Sequence, residues 1–155
     1  MSADARFEDG GERPLRLRAL DAADLRVMGA LVQDAVFPVG EMTWDSRRRR
    51  FAILLNRFRW EDGGRRTPPE RVRAMLVIED ALRVASQGVP RDEPDLVLSA
   101  LTLDWTPGED GMGRITLVLA GDGAIAVDVE ALDVSLTDVT RPYSAPSGKA
   151  PSHPD

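Results

Sequence analysis

Apolar positions along the chain follow two periods. Leu15, Leu17 and Ala19 alternate with Arg16 and Arg18, which predicts a half-buried strand entered at Pro14. Asp21 then stands where a helix N-cap belongs, and Asp24 adds a carboxylate to the first turn. Leu25, Met28, Leu31, Val32 and Ala35 recur at spacings of three and four. That spacing predicts an amphipathic helix of about 14 residues with one docked face. From Phe37 the period becomes two. Phe37-Pro38-Val39-Gly40 reads as a turn or strand entry, and residues 42–45 as a short strand containing Trp44.

Residues 45–50 form a polar turn, and residues 51–60 a long strand; together with residues 42–45 they predict a hairpin with a basic tip. Phe51 to Leu55 is apolar at every position, which predicts a central strand covered on both faces. Beyond it, strand geometry puts Arg57 and Arg59 on one face and Phe58 and Trp60 on the other, with the aromatics expected in the core. Residues 61–70 hold two glycines and two prolines and read as a loop.

Residues 71–87 fit either a helix or a hairpin. The clean alternation of Val72, Ala74, Leu76 and Ile78 favours strands at 71–78 and 81–87, with a turn at Glu79-Asp80. A strand at 96–105 lies between the loops 88–95 and 106–113. Ala120-Gly121-Asp122-Gly123 separates strands at 114–119 and 124–129, a strong hairpin signal because Gly and Asp accept positive φ. The inward set Ile125, Val127, Val129 continues as Leu132, Val134, Leu136. That phase slip near Glu130-Ala131 predicts a bulge or a bend into a second strand. The predicted fold is α+β, mainly antiparallel β, with about seven strands and one early helix. Its strands close as a barrel or stack as two sheets.

The length, 155 residues, suits one domain. We place it at 14–140, with a flexible arm at 1–13 and a disordered tail at 141–155. No apolar run approaches the length of a membrane-spanning helix, and the polar start does not resemble a secretion signal. Cysteine is absent, which removes thiolate nucleophiles and thiolate metal sites. The one histidine, His153, lies in the Pro/Ser-containing tail, which leaves the domain without an imidazole base. We therefore expect no cofactor and no metal.

The net charge of −6 is unevenly spread. Residues 47–73 carry 10 arginines against 3 acids, whereas residues 1–46 are net −4 and residues 74–155 net −9. Arginine forks bind phosphate or carboxylate, so Arg47, Arg48, Arg49, Arg50, Arg57, Arg59 and Arg73 are the candidate anion- or partner-binding residues. The competing expectation is that these arginines pair with the protein's own carboxylates or with an acidic face of a second copy. Asp104, Asp128, Glu130 and Asp133 are the carboxylates that strand pairing could gather, but the polar outer face of a half-buried hairpin is the favoured explanation of them. The glycine-containing loops lack the lysine and spacing of a P-loop or dinucleotide fingerprint.

The stretches LRLRALDAADLRVMGALVQDAVFPVGEMTWD, RRFAILLNRFRWED and ERVRAMLVIEDALRV resemble a bacterial family known as domain of unknown function 2948. LVLSALTLDWTPGED and GRITLVLAGDGAIAVDVEALDVSLTDVTRPY fit it too, so the resemblance covers residues 14–143, with FAILLNRFRWE its most specific part. It implies a bacterial, cytosolic protein, encoded in many genomes beside histidinol dehydrogenase. It carries over no catalytic residue. The expected function is a non-catalytic binding or protein-interaction domain acting through a protein partner or self-association. The alternatives are a small-ligand protein or an enzyme acting on an anionic metabolite, with phosphate or carboxylate clamped by Arg57, Arg59 and Arg73 and an Asp as acid/base, and weak RNA binding at the basic tip. A membrane is not expected as a partner.

Overall fold

The computed structural model describes residues 14–59, 70–140 and 143–144. The expectations for the N-terminal arm, for Trp60, for the loop at 61–70 except its last residue and for most of the tail lie outside these residues; Glu70, expected in that loop, opens a strand instead. The elements in chain order are β1 (Arg16–Ala19), α1 (Ala22–Leu31), β2 (Val36–Pro38), a short 3₁₀ turn (Val39–Glu41), β3 (Met42–Asp45), β4 (Arg50–Phe58), β5 (Glu70–Ile78), β6 (Ala81–Gln87), β7 (Val97–Pro107), β8 (Gly113–Leu119), β9 (Ala124–Val129), β10 (Val134–Asp138) and β11 (Tyr143–Ser144).

The strands form one antiparallel sheet in the order β1-β10-β5-β4-β2-β7-β8-β9-β6, with β3 beside β4 and β11 beside β5. Among the described residues there are eleven strands rather than about seven: the periodic segments already number nine, and those at 36–38 and 143–144 pair although they are too short to show a period. The sheet is open, not a barrel: the ladder ends at β1 and β6, which do not pair with each other.

Helix α1 starts as its sequence indicates, with the Asp21 carboxylate accepting from the Asp24 N–H at 2.8 Å. It runs for 10 residues rather than 14. Asp34 takes positive φ, and the chain then joins β7 through the Asp34 N–H to Ala100 carbonyl bond and its reciprocal from Ala100 to Ala35. Ala35 is thus buried as extended chain, not as part of the helix. α1 packs against β7 and β1, and it approaches β7 so closely that a Cβ on Gly29 would sit 2.8 Å from Thr102 Oγ1 and 3.1 Å from the Leu103 nitrogen.

Residues 71–87 are two strands, as alternation favoured, but they are not a hairpin. β5 pairs with β4 and β10, while β6 pairs with β9. Glu79-Asp80, with Asp80 at φ 55, turns the chain into the other half of the sheet rather than back on itself. Residues 130–133 make the matching bend between β9 and β10, at the predicted phase slip. The two bent stretches run alongside as one ribbon, held at the corner by Glu130 N–H to Asp80 carbonyl and Glu79 N–H to Asp133 carbonyl bonds. Phe51, Ile53, Leu76, Ile78, Val134 and Leu136 from one half and Ile115, Leu117, Ile125 and Val127 from the other join a single buried cluster with Leu25, Met28 and Val32 of α1.

β4 is not covered on both faces. Phe51, Ile53 and Leu55 are buried, but Ala52, Leu54 and Asn56 on the opposite face are only half-buried. Phe58, further along that same face, is buried.

Candidate functional site

The arginine-rich segment turns its charge onto the protein itself. At the β3–β4 hairpin, Asp45 accepts from the Arg48 N–H at 3.2 Å and shapes the turn. Arg48 lies 3.8 Å from Asp45, Arg49 donates to Glu130 at 2.9 Å, and Arg50 donates to Glu79 at 3.1 Å. Glu79 and Glu130 belong to the two bends of the ribbon, and the Ala81 N–H bonds the Arg49 carbonyl at 2.8 Å. The basic tip therefore fastens the hairpin to the corner of the sheet. Arg47 is exposed.

Arg57 and Arg59 lie on the face of β4 that carries Phe51, Ile53 and Leu55, and both are buried, at 0% and 1% exposure. Arg57 grips Asp138 with both arms, Nε to Oδ1 at 3.0 Å and Nη2 to Oδ2 at 3.1 Å. Asp138 Oδ2 also accepts the Leu15 N–H at 2.8 Å. Arg59 donates to Glu70 Oε1 at 2.6 Å. This is a polar plug at one end of the inner face, not an anion clamp open to solvent. Phe58 is buried on the other face, with the Arg71 guanidinium 6.0 Å from its ring centre. Arg73 is exposed on the outer face opposite Asn56, so it is not brought beside Arg57 and Arg59.

The candidate carboxylates are dispersed. Asp128 pairs with Arg114 at 2.7 Å, Glu130 with Arg49, and Asp133 with Arg18 at 2.9 Å. The Arg114 hydrogen bond holds the Asp128 carboxyl below its ordinary value, against the opposing effect of partial burial. The Asp133 carboxylate raises the Arg18 guanidinium in the same way. Among the described residues, no three His, Cys, Asp or Glu side chains gather as a metal would require. No helix among the described residues is long and apolar enough to cross a membrane.

Two apolar features lie elsewhere. The first is the outer face of the sheet, where Ala52 sits opposite Val77 and Leu54 opposite Met75. Val36 and Val97 flank these pairs, with Val97 57% exposed. Arg73 and Glu41 stand at the rim of a shallow depression that includes Leu54 and Val97. The second is a cavity of about 300 Å³ between β3 and β6, each of which has a strand partner on one side only. Trp44, Phe51, Val84 and Ile125 line it, with Ser86 and Arg91 at its polar end. None of these cavity residues was singled out from sequence as a site. The signal was Ser86, a polar side chain at an inward-phase position of a strand.

Neither the curated proteins nor the solved structures include a significant match to this chain. A family model does match, over residues 15–153, and it spans every strand and the helix. The chain belongs to the family described as protein of unknown function DUF2948.

Proposed function

We propose that this protein is a non-catalytic binding domain that works by protein contact, and that its first partner is a second copy of itself. The observation that carries this reading is the apolar outer face of β4 and β5. An antiparallel sheet with one solvated face places polar side chains there. Here Ala52, Leu54, Met75 and Val77 form a contiguous apolar strip, extended by Val36 and Val97. Contiguous apolar surface of this kind marks interaction sites.

The charges at its rim favour a two-fold pairing. Arg73 and Glu41 border the same depression. In an isologous interface each surface meets itself, so Arg73 of one copy lies within reach of Glu41 of the other. Sedimentation velocity tests this. The wild type should sediment as a dimer, Leu54→Arg as a folded monomer, and Arg73→Glu as a weakened dimer restored by adding Glu41→Arg. A wild type that stays monomeric as concentration rises would end the self-association reading.

Two further readings are separable. Binding of a small amphipathic anion is favoured by the cavity beside Arg91. RNA binding at the tip has less support, because Arg48, Arg49 and Arg50 already face carboxylates of the same chain. It requires affinity that falls steeply with salt, and a flat response would dismiss it.

A further inference from the structure

We infer that the cavity between β3 and β6 is a binding site for a small amphipathic anion, with its apolar body against Trp44, Phe51, Val84 and Ile125 and its charged end at Arg91. The site is distinct from the outer face proposed for self-association. Trp44 and Phe51 are directly opposite on paired strands, so they share the inward face. Phe51 is buried, as an inward residue should be, yet Trp44 remains 39% exposed. The core is left unfilled at this point because the sheet does not close: β3 is paired only with β4, and β6 only with β9. The opening holds about 300 Å³, at the small end of ligand pockets.

Its polarity is organised. On β6, Val84 lies opposite Val127 and Ser86 opposite Ile125, so both point inward. A serine at an inward position replaces apolar filling with a hydroxyl. Arg91 reaches over it and donates to Ser86 Oγ at 3.3 Å. The loop that carries Arg91 is tied down by Gly40 N–H to Pro94 carbonyl and Val39 N–H to Leu96 carbonyl bonds. Among the described residues Arg91 is the one charged side chain on the cavity wall; Asp92, Glu93 and Asp95 of the same loop do not line it. Apolar walls with a single cation at the mouth select an apolar molecule ending in carboxylate or phosphate.

The test uses octanoate, octyl phosphate and octanol as probes on the full chain, followed by ¹H–¹⁵N and methyl NMR. Both anions should give saturable shifts at the Trp44 indole and at the Val84 and Ile125 methyls. Arg91→Gln should weaken both by about tenfold while leaving octanol unchanged. The tighter of the two anions identifies the head group. Val84→Phe, which fills the cavity, should abolish binding with the strand signals retained. The inference is overturned if neither anion gives saturable shifts at these residues. It is also overturned if Arg91→Gln binds the anions as the wild type does, or if octanol binds as tightly as octanoate. The Leu54→Arg monomer should bind octanoate normally, which separates this site from the association surface.

Discussion

Removing Arg57 while leaving Asp138 in place is the sharpest test of how the interior is held. The pair is fully enclosed, with side-chain exposures of 0% and 1%, and is joined by two hydrogen bonds of 3.0 and 3.1 Å. Charge centres about 4 Å apart attract by about 4 kcal/mol at an effective dielectric of about 20. Burial of the two ions costs several kcal/mol each, so the intact pair contributes little net stability. The single variant Arg57→Met keeps the desolvated carboxylate and removes its partner, leaving Asp138 with the Leu15 N–H. The expected loss is about 3–5 kcal/mol, a large share of a domain's usual 5–15 kcal/mol. The double variant Arg57→Met/Asp138→Leu replaces the ions with apolar groups of similar size and should recover most of that loss. Urea unfolding with a two-state fit measures both, with unchanged slopes required for comparison. A single variant that loses less than about 1 kcal/mol would refute the reasoning, since such values belong to exposed pairs. A double variant as unstable as the single would refute it too.

Three more perturbations test other parts of the fold. Gly29→Ala should destabilise by about 1–3 kcal/mol in thermal melts, because the new methyl meets Thr102 Oγ1 and the Leu103 nitrogen and this outweighs the better helix propensity. Asp21→Ala removes the cap of α1 and should cost about 1 kcal/mol by chemical denaturation, while Asp21→Ser should be near neutral. Asp128 has a folded carboxyl pKa depressed below 3.8, so its contribution is present above that pH and is lost as pH falls through the depressed value. Asp128→Asn should therefore be less stable than wild type at neutral pH, by no more than about 1 kcal/mol for so exposed a pair, and the two acid-unfolding curves should converge below pH 3.8.

What could be read ahead of the structure was local. The Gly121-Asp122 turn has the positive φ values that those residues accept, and the bend after β9 follows the phase slip at Glu130-Ala131. What could not be read was which strand edges meet. Glu79-Asp80 has the composition of a hairpin turn, yet both edges of β5 are occupied by β4 and β10. Periodicity names an apolar face but not its cover, so the run Phe51 to Leu55 read as doubly covered although its outer face is half-buried. Arg57 and Arg59 read as surface charges because the residue that makes Arg57 internal, Asp138, lies 81 positions away. The cavity residues escaped notice for a related reason. Ser86 and Arg91 are near neighbours in sequence, but Trp44 comes from β3, and only tertiary folding brings it to their wall.

The order of the strands also sets when this chain is able to fold. β1, the first strand, pairs with β10, so that Arg16 meets Thr137 and Leu15 bonds Asp138, a separation of 123 residues. Closing such distant contacts lowers folding rates. At a synthesis rate of about 5–20 residues per second, a nascent chain waits several seconds between making β1 and making its mate. Through that interval β1 has no strand partner, and β5 lacks the neighbour β10. The native sheet is therefore completed only after residues 134–138 are made, and in the interval a long unpaired strand edge lies open to pairing with neighbouring chains.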